Sequence, residues 1–249
     1  MEVHHHPHVE KKSFKEYFLE FLMIFLAVTM GFFAESLRES ITENHLEKEY
    51  IISLNEDMHD NDSMLTLMIK AHQQNVLMMD SLINLLGRLN GVKGSEGALY
   101  YFSRVAPCLE ALPLTDKTFQ QLKNSGKAQV ITDFNTIGQV IKYYNNDVPA
   151  IKLAEEQYFQ EFDHYKIIVA QVFDPAVMRA LELPDGMVSR PGKDPALLNY
   201  DIKLLKQLAV LLVYMRGSVV GEIEREKKLQ NDGQQLIRYL QEQYLFLKH

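Results

Sequence analysis

Tryptophan is absent from this 249-residue chain, cysteine occurs once, and glycine and proline number only twelve and eight. The single cysteine, Cys108, excludes an intramolecular disulfide and any cysteine-rich zinc site. So little glycine and proline excludes a collagen-like or low-complexity chain. Positive charge is also short, with 26 Lys+Arg against 33 Asp+Glu and a formal charge of −7. That balance argues against nucleic acid as a partner, because phosphate neutralisation needs clustered lysine and arginine. Catalytic signatures are missing too: no G-x-S-x-G, H-E-x-x-H or G-x-x-x-x-G-K-[ST] occurs. Ser125-Gly-Lys-Ala128 lacks both the hydroxyl and the glycine spacing of a phosphate-binding loop. Cys108, flanked by Pro107 and Leu109, reads as a packed thiol rather than a nucleophile. Neither an enzymatic activity nor a cofactor is expected.

What the chain does have is one long apolar run. Residues 17–34 read YFLEFLMIFLAVTMGFFA, and within residues 18–34 only Glu20 is charged. Seventeen helical residues cover about 25 Å, just under the ~30 Å hydrocarbon core of a bilayer. Lys12, Lys15 and Arg38 flank the run and can extend it by snorkelling. Phe14, Tyr17 and Phe18 crowd one edge, Phe32 and Phe33 the other. A cleaved signal peptide fits poorly, because cutting after Ala34 would leave bulky Phe32 where a small residue is needed. A soluble core helix apolar on every face would need a larger surrounding domain. The run therefore reads as an uncleaved anchor in membrane lipid. Lys11, Lys12 and Lys15 precede it, against Arg38 and Lys48 after it, which predicts a cytoplasmic N-terminus. A lone cysteine suits an oxidising compartment for the remainder.

From residue 37 onward the pattern is helical. Residues 40–86 contain no proline or glycine. Ile51, Leu54, Met58, Leu65, Ile69, Val76, Met79, Ile83 and Leu86 recur at steps of three, four or seven, a core-facing stripe. Asp62 and His72 share that stripe, and His72 reads as a core histidine with a backbone partner rather than a ligand. The Asn- and Asp-rich run at 57–63 is a candidate kink, since such side chains compete for backbone bonds. Further helices are predicted over residues 96–105, from Thr115 or Asp116 to a stop at 124–126, and from Asp133. A break or new start at 145–149 precedes a helix to residue 173, and the pattern resumes from 195 to the end. Residues 91–97 and 184–195 read as loops, and Lys203, Lys206 and Arg216 keep residues 202–215 from being a second span. No segment shows strand alternation. The predicted fold is all-α: a His-rich cytoplasmic tail (1–13), a transmembrane anchor (14–36) continuing into a long helix, and an extracytoplasmic helical bundle (37–249).

Three groups are candidate functional residues. His4, His5, His6 and His8 could hold Zn²⁺, Ni²⁺ or Cu²⁺ through their imidazoles. Glu20 and Glu35 bracket the apolar run, either at headgroup level or as a proton or cation relay in an oligomeric pore. Leu236, Leu240 and Tyr244 give the last helix an apolar face for oligomer contact. In addition, Glu2–His5 in the tail and Glu56–His59 and Glu161–His164 in helical segments repeat the Glu-x-x-His spacing of di-iron bundles, but the sequence does not clearly place the two further glutamates that such a site needs on other helices.

Two stretches carry a family resemblance. HHHPHVEKKSFKEYFLEFLMIFLAVTMGFFAESLRE, followed by LEKEYIISLNEDMHDN, and then LTDKTFQQLKNSGKAQVITDFNTIGQVIKYYN, together cover about a third of the chain. They resemble a family of single-pass membrane proteins widespread in Bacteroidota and defined as a domain of unknown function. The resemblance implies a bacterial inner-membrane protein with its main domain in the periplasm, and implies no activity. The expectation from residues and resemblance together is a non-catalytic anchored scaffold or subunit. It would act as a homo-oligomer or with a membrane-protein partner. Ion conduction through Glu20 and Glu35, or ligand sensing by the bundle, are the alternatives.

Overall fold

The computed structural model describes residues 13–88, 91–111 and 113–248. It is 80% helical, with no strand among the described residues, so the chain is all-α as predicted. Two compact units divide between Tyr50 and Ile51.

In the first unit the structure consists of the N-terminal part of α1 (Phe14–Leu86). The helix starts where the Ser13 N–H donates to Glu16 Oε2 at 2.7 Å, the reciprocal half of a capping box. Its apolar side chains are uncovered on every face: Met30, Phe32 and Phe33 are 70%, 73% and 68% exposed. Thr29 is the only side-chain hydroxyl in residues 21–34, and it donates back to the Phe25 carbonyl at 2.7 Å. That bond leaves the apolar stretch with no unsatisfied side-chain donor, the condition a hydrocarbon environment imposes.

The second unit is built on a seam between residues 51–86 of α1 and α7 (Ile202–Gln243). Buried positions on α1 run Ile51, Leu54, Met58, Asn61, Leu65, Met68, His72, Asn75, Met79, Leu82 and Leu86. On α7 they run Leu205, Leu208, Leu212, Met215, Val219, Glu222, Glu226, Leu229, Gly233, Leu236 and Leu240. Both series alternate steps of three and four, the 3.5-residue period of a coiled-coil seam. Cross-seam bonds fix the direction: Arg216 to Asp80, Gln230 to Thr66, and Gln234 to Asp62. As one number rises the other falls, so the two helices are antiparallel. Gly233 sits at a tight point of the seam, where a Cβ would lie 3.3 Å from Tyr143 Cε2 and 3.4 Å from Met58 Cε.

The shorter elements pack around this pair. They are α2 (Glu96–Val105), α3 (Lys117–Ser125), α4 (Phe134–Ile141), α5 (Val148–Val172) and α6 (Pro175–Ala180). Helix α5 lies along α7 and, with α1 and α2, completes the core through Tyr158, Tyr165, Val169 and Val172 against Leu99 and Tyr100. Asp133 caps α4, accepting from the Asn135 and Thr136 N–H groups, and also accepts from the Tyr239 hydroxyl of α7 at 2.6 Å. These bonds, Tyr239 first, hold its carboxyl down at about 2.

Several local expectations change. The run at 57–63 does not interrupt α1, because its polar side chains find partners outside the helix. Asn61 exchanges two bonds with the backbone of Thr115, at 2.9 and 2.8 Å, while Asp57 accepts from the Thr118 N–H at 3.0 Å and meets Lys117 at 3.2 Å. The expected break near 145–149 is a π-helical turn, Lys142–Asp147, in which the Val148 N–H reaches the Tyr143 carbonyl five residues back. Pro149, without an N–H of its own, sits in the first turn of α5. Helix α6 lies in a segment for which no helix was predicted, and α7 begins at Ile202, capped by Asp201, rather than at 195. Cys108 is exposed rather than packed, its thiol donating to the Arg104 carbonyl at 2.8 Å.

Candidate functional site: a cleft over a buried histidine and two glutamates

A heptad seam normally carries apolar residues, so its polar members are informative. On α1, the seam residues Asn61 and Asn75, and Asp57 beside the seam, all have structural employment. Asn75 donates to the carbonyls of Ala106 and Cys108, at 3.0 and 2.8 Å, and so clamps the chain that leaves α2. His72, Glu222 and Glu226 are different. They are 2%, 5% and 0% exposed. His72 Nδ1 lies 2.8 Å from Glu226 Oε1. Glu222 Oε2 accepts from Arg225 Nη1 at 3.0 Å, one turn along α7. Among the described residues His72 Nε2, Glu222 Oε1 and Glu226 Oε2 have no hydrogen-bond partner. Buried polar atoms are nearly always paired, and each one left over carries a desolvation penalty.

A cleft of about 80 Å³ lies over this cluster. Its floor includes His72, Tyr158, Val219 and Glu222, and its walls come from α5, α7 and the segment at Leu109 and Glu110. The Tyr158 hydroxyl turns away to donate to the Pro107 carbonyl at 2.7 Å, leaving its ring on the cleft. Ser218 donates to Glu161 at 2.9 Å rather than to His72, so no serine–histidine pair forms. Glu110, Glu155, Glu161 and Glu222 line the cleft against the one guanidinium of Arg225. Burial, reinforced by the charge of Glu226, pushes the Glu222 carboxyl up to about 7, with Arg225 opposing. The site can therefore exchange a proton near neutral pH, or offer carboxylate oxygens to a cationic group.

The residues singled out in the sequence lie elsewhere. His4, His5, His6 and His8 fall outside the described residues. No group of three or more His, Cys, Asp or Glu able to hold a metal ion occurs among the described residues, and Glu56 and His59 face outward. Glu35 is tied to Arg38, whose Nε donates to Oε2 at 3.1 Å, and Glu20 is half-buried on α1. Leu236 and Leu240, read as oligomer contacts, are 2% and 0% exposed. They belong to the seam inside this chain and are not available to a second copy, and Tyr244 just beyond them is half-buried. The large apolar residues that α7 does expose are Ile202, Val210, Val213, Tyr214 and Val220.

The partner of His72 is Glu226 and not the backbone group that the sequence suggests, and neither Glu222 nor Glu226 is among the candidates of the sequence. A signal was present: both glutamates keep the three–four spacing of the apolar residues around them. Comparison of the chain with protein-family models, curated proteins and solved structures gives no match. What the fold defines is an all-α protein with a long apolar N-terminal helix and a C-terminal helical region.

Proposed function

We propose that this is a membrane-anchored, non-catalytic protein that works by assembling with further copies of itself. The anchor is residues 14–36, with the N-terminus cytoplasmic and the helical domain in the bacterial periplasm. The observation that carries the reading is the N-terminal half of α1, whose most apolar window is 0% buried. An apolar helix that its own chain leaves uncovered calls for another apolar environment, and its length suits a bilayer. Helix α7 also has the length and composition of a span, but a third of its apolar window is buried, and Arg216 on it is paired with Asp80. The family resemblance of residues 4–39, 46–61 and 114–145 supports this placement.

Assembly is supported by the outward side of α7, where Val210, Val213 and Tyr214 are 57%, 53% and 68% exposed. These positions replace Leu236 and Leu240 as the contact surface. The test is the protein mass of the full chain extracted in a mild detergent, measured by light scattering. A mass of two or more times 28.8 kDa in whole multiples supports self-assembly. Val213→Glu should then reduce the particle to one chain without loss of helicity, because the side chain it replaces is solvent-facing. A single chain in the wild-type particle overturns the self-assembly reading, and a co-purifying partner makes the protein a subunit of something else.

A further inference from the structure

We propose that His72, Glu222 and Glu226 form a proton-operated latch in the α1–α7 seam, closed while a proton stays within the buried cluster and locally open once it leaves. This goes beyond the anchored, self-assembling role and does not depend on it.

The seam itself marks the place. Leu65 and Met68 on one side of His72, and Met79 and Leu82 on the other, are apolar and buried. So are Val219 and Leu229, which flank the two glutamates on α7. Glu222 and Glu226 occupy successive seam positions one helical turn apart, and His72 meets them from α1, with Nδ1 2.8 Å from Glu226 Oε1. The other polar side chains of the α1 seam, Asn61 and Asn75, bond to backbone and carry no titrating group. Everything in the seam that can gain or lose a proton is therefore gathered at one level.

The count of donors comes next. An ionised carboxylate only accepts hydrogen bonds, whereas a protonated one also donates. Arg225 Nη1 donates to Glu222 Oε2 at 3.0 Å, while Glu222 Oε1, Glu226 Oε2 and His72 Nε2 have no partner among the described residues. With both glutamates ionised, two buried carboxylates one turn apart would share His72 and the half-exposed Arg225, and two of their oxygens would lack a donor. A proton on Glu222 removes one of those buried charges and its desolvation cost.

The surroundings hold that proton. Glu222 is faced by Glu226 and Arg225 on α7, by His72 on α1, by Glu155 and Glu161 on α5, and by Glu110 in the segment after α2. Burial, then the charge of Glu226, raises its carboxyl to about 7 against the pull of Arg225 and His72. Once the seam opens to water, the group returns to about its ordinary 4.5. The closed seam thus binds the proton more tightly than the open one, so opening grows as pH rises from 4.5 and levels off above 7. Asn75, three residues from His72, clamps the Ala106 and Cys108 carbonyls, so an opening that reaches it frees the segment that follows α2.

The experiment is hydrogen exchange of the full chain in detergent, read by mass spectrometry at pH 6 and pH 8, without urea and in low urea. Labelling times are scaled for the intrinsic pH dependence of amide exchange. Exchange through local opening is insensitive to urea, whereas exchange through unfolding of the whole unit rises steeply with it. Segments 68–76 and 219–229 should exchange by the urea-insensitive route, about tenfold faster at pH 8 than at pH 6. That ratio follows from titration at about 7 when closed and about 4.5 when open. Segments 51–58 and 233–240 should show no such route, and Glu222→Gln should remove the tenfold difference. Equal exchange of the wild-type protein at the two pH values overturns the proposal. So does exchange of 68–76 and 219–229 only by the urea-sensitive route, and so does a pH difference that persists in Glu222→Gln.

Discussion

Replacing Glu222 by Gln should stabilise the helical unit at pH 8 and change it little at pH 4.5. The folded carboxyl titrates at about 7, whereas an unfolded glutamate titrates near its ordinary 4.5. Between those values the folded state holds a proton that the unfolded state has released. Stability from this group is therefore fully present below about pH 4.5 and declines as pH rises towards 7, beyond which the loss is constant. The separation of roughly 2.5 units corresponds to about 3 kcal/mol, at about 1.4 kcal/mol per unit. Glutamine carries no such penalty, keeps a side-chain oxygen for Arg225, and has nearly the same volume. The attraction of half-exposed Arg225 is already contained in that value, since it opposes the rise. The expectation is a gain of about 3 kcal/mol at pH 8, roughly 6–12 °C in melting temperature for a unit of this size. Far-UV circular dichroism of the full chain in detergent, at both pH values, measures it without needing tryptophan. Other groups that titrate over the range do so in both variants and cancel in the difference. A variant–wild-type difference that is the same at pH 4.5 and pH 8 would refute the reasoning, because it would show that Glu222 folds with its ordinary charge.

Three further outcomes follow from the same structure. Asn75→Ala leaves the Ala106 and Cys108 carbonyls without their donor and should lower stability by about 1–3 kcal/mol in the same melting assay. Asn75→Asp should not rescue it, since a carboxylate cannot donate to those carbonyls. Cys108, the lone cysteine and exposed, makes the chain its own topology reporter. A membrane-impermeant maleimide should label it in intact spheroplasts, and labelling only after lysis would reverse the proposed orientation. Gly233→Leu should destabilise the seam by about 1–3 kcal/mol through overpacking against Tyr143 and Met58, whereas Gly217→Leu, where a Cβ meets nothing within 4 Å, should be far milder.

What the sequence determined by itself is whatever depends on local order along the chain. An apolar run of anchor length, a proline- and glycine-free stretch from 40 to 86, and a Gly126 stop with a left-handed conformation are properties of consecutive residues. Each is realised as helix or helix end where the sequence places it. The stripe on α1 was legible in its period but not in its centre. Ile69, Val76 and Ile83 look like seam residues and are only half-buried, while Met68, Asn75 and Leu82 join His72 in the seam itself. Choosing by hydrophobicity discards polar residues at core positions, and those are the ones that hold the α2–α3 connection and build the cleft.

Tertiary structure alone decided the rest, because it concerns partners distant in the chain. The 57–63 run stays helical since Thr115 and Thr118 supply bonds from 54 and 61 residues away. Leu236 and Leu240 are core rather than contact because α7 folds back antiparallel on α1, and no local pattern distinguishes an apolar stripe that meets its own chain from one that meets another. The pairing of His72 with Glu226 likewise spans the length of the helical unit. Burial is what raises the Glu222 carboxyl to about 7, and burial is a property of the packed fold rather than of any segment within it.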